Sequence, residues 1–320
     1  MHQNIDIVLA TYNGEQFLEE QIQSIQNCVG YANRVSRLIV VDDGSTDQTK
    51  AIVERLQTDS KIEWHLNQTG KKGAKNNFEF GLYITTAEYI MLSDQDDVWQ
   101  SQRIEDSFHQ ISSLAQSKPA LVFSDKEVVD ESLNTISDSF FAFRGMATDW
   151  HTSLEQLIQQ NVASGCTMMF NRALLEQALP IAEDAFMHDW WLILVARVTG
   201  EVRFIEKPLI RYRQHDFNTI GAKSYSWSHL LKNFQPHLAK FAKQFWQIAA
   251  QAEVLSSRFK HKELDEIAFT KIRTVGYLKR LSMFISGDVR QHNRKGQLAL
   301  LMTLLMTNSR KGKVKEHNNA

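Results

Sequence analysis

Short apolar stretches, each cut off by an acidic or glycine-bearing turn and followed by a helix-spaced stretch, constrain this chain's fold most. Residues 5–10 (Ile-Asp-Ile-Val-Leu-Ala) are nearly continuously apolar, as a strand buried on both faces is. Asn13-Gly14 breaks that run, and residues 15–27 carry Phe17, Ile22 and Ile25 at helical spacing. Residues 37–41 predict a second buried strand, ending in Asp42-Asp43-Gly44-Ser45-Thr46-Asp47. Residues 48–57 predict a helix with Ile52, Val53 and Leu56 on one side. A short strand over 61–66, a helix over 76–85 and a strand over 89–92 follow, the last running into Ser93-Asp94-Gln95-Asp96-Asp97. Beyond lie a helix near 102–116, a strand over 120–124, a polar connection, a strand-like 164–170, a helix over 189–199 and a strand over 202–205. This alternation predicts an α/β fold, a mostly parallel mixed sheet flanked by helices. Ligands of such sheets gather at the carboxyl ends of the strands, where both acidic clusters fall.

From about residue 226 the pattern turns helical. Pro236 suits a helix start, and Leu238, Phe241, Phe245, Ile248, Ala252 and Leu255 form one apolar seam at alternating intervals of three and four. Helices near 263–285 and 297–306 are placed to pack on it. The seam could equally bury against the first domain or against a second subunit, making a homodimer. A boundary near 222 is expected, giving a catalytic domain over 1–221 and a basic helical extension over 222–320. Hydrophobic residues make up 43% of 320, enough for one catalytic domain with an appended unit. Only 4 prolines and no low-complexity run argue against long disordered linkers.

The net charge of −1 hides an asymmetry. Residues 1–221 carry 18 Lys and Arg against 31 Asp and Glu, and residues 222–320 carry 18 against 6. An acidic body suits a divalent metal, and a basic appendage suits anionic lipid or a partner. Nucleic acid is not an expected partner. Cys28 and Cys166 lie far apart without a partner motif, which argues for a reduced compartment and against structural zinc. Residues 1–6 lack a signal peptide's basic start and apolar core. The longest apolar run, 298–306, falls short of the ~20 residues that cross a bilayer. The expectation is a cytoplasmic protein, soluble or peripheral on the inner face of the plasma membrane.

Asp94-Gln95-Asp96-Asp97 suits a divalent cation bridging a diphosphate, because two carboxylates one residue apart on a rigid strand end can face one ion. It equally suits an acidic turn capping a helix near Trp99. Asp42 can accept a hydrogen bond from a uracil or thymine imide, while Ser45, Thr46 and Asp47 suit an Asx-type turn and a helix cap. Both roles can coexist. Asp189, opening a helix, is placed to take a proton from an acceptor hydroxyl, or simply to cap. Trp190 and Trp191 either stack on a sugar or fill the core. In Arg211-Tyr212-Arg213-Gln214-His215, the arginines can clamp phosphate and the histidine can complete a metal shell or be structural.

Val8-Leu9-Ala10-Thr11-Tyr12-Asn13-Gly14-Glu15, Val41-Asp42-Asp43-Gly44-Ser45-Thr46-Asp47 and Ser93-Asp94-Gln95-Asp96-Asp97-Val98-Trp99 resemble the successive motifs of family 2 nucleotide-sugar glycosyltransferases. Ala163-Ser164-Gly165-Cys166-Thr167, His188-Asp189-Trp190-Trp191 and Tyr212-Arg213-Gln214-His215 extend the resemblance to bacterial polysaccharide rhamnosyltransferases, over about residues 4–221. It implies an A-type glycosyltransferase fold with a Rossmann-like nucleotide-binding half. Thr11, Tyr12, Asn13, Glu15, Asp42, Lys75, Asp94 and Gln95 would bind the donor. Asp96 and His215 would hold Mg²⁺ or Mn²⁺, and Asp189 would be the general base. Ser164, Gly165, Trp190 and Trp191 would face the acceptor. The chain departs from the pattern at Ala10, where many members carry Pro, and at His188, where many carry Glu. The second departure removes a carboxylate beside the base and is expected to tune acceptor choice.

The expected chemistry is an inverting, metal-dependent displacement. A sugar, L-rhamnose from dTDP-rhamnose by resemblance or a hexose from a UDP donor, passes to a saccharide or lipid-linked saccharide of a cell-surface polysaccharide such as lipopolysaccharide or capsule. Nucleotide-sugar synthesis and dinucleotide-dependent redox chemistry need a glycine-rich turn after the first strand, and Thr11–Glu15 holds one glycine. A non-catalytic nucleotide-sugar-binding or scaffold protein is the reading from another class. The joint presence of acid pairs, a base and a histidine argues against it.

Overall fold

The computed structural model describes residues 4–115, 117–215, 234–291 and 294–306. The chain divides into two compact units, one of residues 1–157, 161–183 and 187–222, the other of 158–160, 184–186 and 223–320.

In the first unit β1 (Ile5–Thr11), β2 (Val35–Asp42), β3 (Ile62–Leu66) and β4 (Tyr89–Ser93) run parallel in the order β3-β2-β1-β4. Helices α1 (Leu18–Gln26), α2 (Tyr31–Arg34), α3 (Thr49–Leu56) and α4 (Ala74–Ile84) connect them. Then come β5 (Val98–Trp99), α5 (Arg103–Ser112), β6 (Ala120–Val129), β7 (Thr135–Ser137), α6 (Phe140–Arg144), α7 (Leu154–Gln159), β8 (Met168–Asn171), α8 (Arg172–Ala178), α9 (His188–Thr199) and β9 (Glu201–Arg213). The sheet continues β4-β8-β6-β9-β5, with β7 on β6. Here β8 is antiparallel to β4 and β6, β6 and β9 are parallel, and β5 is antiparallel to β9. The expected mixed, mostly parallel sheet is therefore present.

Strands β4 and β8 are buried along their whole length and β1 and β2 along most of theirs, as continuous apolar runs require. The exception within β1, Asp6, is buried but paired with Arg37 at 2.6 Å and accepts the Thr86 and Ala87 N–H groups. Gly81 lets α4 lie close on the sheet, since a Cβ there would stand 2.5 Å from Val8 Cγ1.

Several boundaries differ from expectation. The first helix starts at Leu18, because the Phe17 and Leu18 N–H groups both close on Gly14 O and leave Glu15 and Gln16 in a turn. Residues 165–167 form a 3₁₀ turn, so the strand expected over 164–170 begins only at Met168. The strand expected over 202–205 reaches Arg213, carrying Pro208 at a register irregularity against Asp125, where a missing N–H is tolerated. The polar connection after residue 124 holds the rest of β6, a short hairpin and two helices.

The second unit contains α10 (Phe234–Arg258), α11 (Lys262–Glu266), α12 (Tyr277–Ser286) and α13 (Arg294–Met306). Leu238, Phe245, Ala252 and Leu255 of the seam are buried, and α10 packs on α13 and on the 3₁₀ turn Ala268–Lys271 of the same unit. The helix expected over 263–285 is broken. The backbone turns extended at Ile267 (φ −74°, ψ 112°) and again at Gly276 (φ −72°, ψ 164°), leaving a short helix, a 3₁₀ turn and a separate helix. The last helix begins at Arg294 rather than 297. The basic run Arg310–Lys315 lies outside the described residues.

Candidate active site

Three loops leave the carboxyl ends of β1, β2 and β4 and are stitched by side chains. Asn13 N donates to Ser45 Oγ (2.8 Å), Gly14 N to Thr49 Oγ1 (2.8 Å) and Glu15 N to Asp47 Oδ2 (3.0 Å). In return, Thr46 N donates to Asn13 Oδ1 (2.9 Å) and Gln48 N to Glu15 Oε2 (2.9 Å). Asn13 and Glu15 thus bind the two loops together. Asp42 Oδ1 accepts from Ser45 N and Ser45 Oγ at 3.0 and 2.6 Å, which is the Asx-type turn. Asp43 is buried, accepting from Gly73 N and Asn67 Nδ2, and its carbonyl takes Lys72 Nζ. Tyr12 is exposed.

Gln95 joins the first loop to the acidic one. Its Oε1 accepts from Thr11 Oγ1 (2.6 Å) and Tyr12 N (2.9 Å), and its Nε2 donates to Tyr12 O (3.2 Å). A Cβ on Gly14 would stand 2.5 Å from that Oε1. No helix begins at Trp99; the acidic loop runs into β5 instead, so it does not serve as a helix cap there. Arg213 fixes this loop from the far side: its N donates to Asp97 Oδ1 (3.2 Å), its Nε to Asp96 O (3.0 Å) and Nη2 to Glu20. The guanidinium is buried and engaged in the fold, so the phosphate clamp expected of Arg213 is not what this geometry offers. Just after it, His215 Nε2 meets Asp96 Oδ2 at 2.9 Å, with its ring 5.0 Å from Phe17.

On the other side, Asp189 opens α9 half-buried. Oδ2 accepts from Gly165 N (3.2 Å) and Oδ1 from its neighbour Trp190 N (2.6 Å). Gly165 is forced to be small, because a Cβ would sit 2.8 Å from His188 Nε2. One oxygen each of Asp94 and Asp97 and Cys166 Sγ lie within 4.8 Å of one another. Burial first, then the charge of Asp96, hold Asp94 and Asp97 above the ordinary carboxylate range. Asp189 adds to the rise at Asp94, and Lys126 opposes it at both. A Cβ on Gly165 would stand 3.5 Å from Asp189 Cβ and 3.6 Å from Leu92 Cδ1, so Asp189 and the end of β4 that leads into the acidic loop meet at this glycine. Burial also pushes the Cys166 thiol well up, leaving it neutral and a poor partner for a hard cation. Carboxylates with an imidazole, the set of Asp94, Asp96 and His215, fit Mg²⁺ or Mn²⁺ better.

Two expectations need correction. Trp190 and Trp191 are buried, their indole N–H groups donating to Leu157 O (2.7 Å) and Ala178 O (2.9 Å), so both belong to the core and neither offers a face to a sugar. His188 is buried and stacked on Phe78 at 4.1 Å, a packing position behind Gly165 rather than an acceptor contact. Lys75 Nζ reaches Glu183 O (2.8 Å), whereas Lys72, three residues earlier, stands at Asp43 and Gly44. Ser164 is held by Lys126 Nζ at 2.8 Å. Lys72 and Lys126 escaped the sequence analysis; Lys126 adjoins Asp125 in a stretch with no local signature.

Residues 6–179 match the family described as Glycosyl transferase family 2. The chain belongs to that family. It is a glycosyltransferase that uses nucleotide sugars. Among curated relatives of this family 2 enzyme, the dTDP-rhamnosyl transferase RfbG of Shigella flexneri is 30% identical over 228 residues, covering 67% of this chain and 74% of that protein. The GalNAc(5)-diNAcBac-PP-undecaprenol beta-1,3-glucosyltransferase of Campylobacter jejuni is 27% identical, covering 70% and 69%. The S. aureus TarS 1–349 structure in complex with UDP-GlcNAc superposes with a TM-score of 0.56 at 15% identity, over 94% of this chain and 80% of that one. The mannosyltransferase PcManGT from Pyrobaculum calidifontis, in complex with GDP-Man and Mn²⁺, gives 0.53 at 13%, over 96% and 88%. At such identities the structural likeness establishes the fold alone, the A-type glycosyltransferase fold. Among the described residues no helix is long and apolar enough to cross a membrane.

Proposed function

We propose that this enzyme transfers L-rhamnose from dTDP-rhamnose, with inversion, to a saccharide or lipid-linked saccharide acceptor in cell-surface polysaccharide synthesis. The Shigella relative's name supports the sugar. The observation that carries the chemistry is Asp189, held by Gly165 N–H at the glycine that also meets Leu92 of β4, the strand leading into the acidic loop. Its carboxylate takes the proton of the acceptor hydroxyl as that oxygen attacks the anomeric carbon. Thr11, Tyr12, Asn13, Glu15 and Asp42 form the nucleotide side, with Asp42 Oδ2 left for the base imide while Oδ1 holds the turn. Asp96 and His215, with Asp94, are the residues to hold Mg²⁺ or Mn²⁺, which when bound offsets the charge of the diphosphate. Catalysis belongs to residues 1–221. The basic helices of 222–320 meet an anionic membrane surface, near a lipid-linked acceptor.

The test is release of dTDP or UDP from a panel of dTDP-rhamnose and UDP-hexoses, with lipid-linked oligosaccharide as acceptor. Turnover with UDP-hexoses alone would replace the rhamnose assignment by a UDP-dependent one. Asp189→Asn should lower turnover ~10²–10⁴-fold while donor affinity stays near that of the unsubstituted enzyme. Undiminished turnover would remove Asp189 as the base.

A further inference from the structure

Lys126 lies at neither a strand end nor an acidic turn, yet it is only 4% exposed and sits inside the site. Its ammonium stands 3.4 Å from the Tyr212 ring centroid and 4.2 Å from that of Phe140, and it donates to Ser164 Oγ at 2.8 Å. Two aromatic faces and a hydroxyl are what a buried ammonium without a direct counter-ion needs; among the described residues no carboxylate is within ion-pair distance of it. Ser164 is two residues from Cys166, whose sulfur lies with the Asp94 and Asp97 carboxylates in one cluster. Tyr212, whose ring it covers, adjoins Arg213, whose N donates to Asp97 Oδ1, so the lysine is anchored beside the acidic side chains of the Asp94–Asp97 loop without an ion pair to any of them.

We propose that Lys126 is the site's resident counter-cation, setting a low affinity of the donor-free acidic loop for divalent metal, so that metal is retained only when a diphosphate adds its own negative charge. This rests on the metal-dependent reading above. A fixed positive charge near a cation site repels the incoming ion, and in a partly buried setting that repulsion is poorly screened.

Nucleotide-free enzyme is titrated with Mn²⁺ at pH 8, where protons compete least, with bound and unbound ion followed by electron paramagnetic resonance. Lys126→Met and Lys126→Gln, the second retaining a donor for Ser164, should bind Mn²⁺ about tenfold tighter or more. Lys126→Arg, which keeps the charge, should stay near the unsubstituted enzyme. Ser164→Ala should also stay within about twofold, because it removes the hydrogen bond and leaves the charge; a merely structural lysine would not separate these variants in this way. A folded Lys126→Met or Lys126→Gln with unchanged or weaker Mn²⁺ affinity overturns the proposal. No Mn²⁺ binding by the unsubstituted enzyme, with or without dTDP, instead overturns the metal-dependent reading on which it rests.

Discussion

A single hydrogen atom in place of a methyl group decides where Asp189 stands. Gly165 has nothing beyond its Cα toward α9, and a methyl there would meet His188 Nε2 at 2.8 Å and Asp189 Cβ at 3.5 Å. Gly165→Ala should therefore shift the start of α9 and loosen the 3.2 Å contact that orients Asp189, the proposed base. Steady-state kinetics should show kcat falling by about 10–100-fold with little change in donor KM, since sub-ångström to ångström displacements of a reacting group cost that much. An unaltered kcat would mean that the contact does not position the base. Legibility at this scale follows locality. Asp42 with Ser45, and Asp94 with Asp96, announce themselves within a few residues. The fates of Trp190 and Trp191 depend on carbonyls 33 and 13 positions away, and Lys126 finds Ser164 38 positions on, so nothing near them in the chain reveals their partners.

Among the elements, α4 depends on Gly81, where a Cβ would stand 2.5 Å from Val8 Cγ1 and 2.9 Å from Val41 Cγ2. Gly81→Val would push the helix off β1 and β2, the strands that present the nucleotide-side loops. Overpacking of this kind costs about 1–3 kcal/mol, to be read as a lower urea midpoint for unfolding of the first unit; an unchanged midpoint would show that the helix has room to move. Strand and helix identities were readable wherever apolar runs ended at turns, because burial on both faces leaves a continuous signature. Two elements were misjudged for physical reasons. Pro208 broke the apolar pattern of β9, and the sheet accommodates it at a register shift. The helix expected over 263–285 keeps its apolar spacing across Ile267 and Gly276, where the backbone turns extended and ends the helix.

For the whole molecule, charge is the dividing property. The part beyond residue 221 carries three times as many cations as anions, and its α12 exposes Leu278 (79%) and Ile285 (83%), seven residues apart and so on one helical face. Such a pairing of apolar side chains with basic surroundings suits a lipid interface. Leu278→Asn with Ile285→Asn should reduce co-flotation with phosphatidylglycerol-containing liposomes several-fold, while transfer to a water-soluble acceptor stays unchanged; equal flotation would exclude that face as the membrane contact. The Gln95 side chain, bonded three times to Thr11 and Tyr12, has a practical corollary for anyone building chimeras. Two of those bonds go to the main chain of Tyr12 and survive any substitution there, whereas the Thr11 Oγ1 bond is lost if a transplanted turn brings no hydroxyl to position 11. A grafted turn that keeps a hydroxyl at position 11 will therefore stay docked on Gln95, and one that lacks it will loosen the Asp94–Asp97 segment as well.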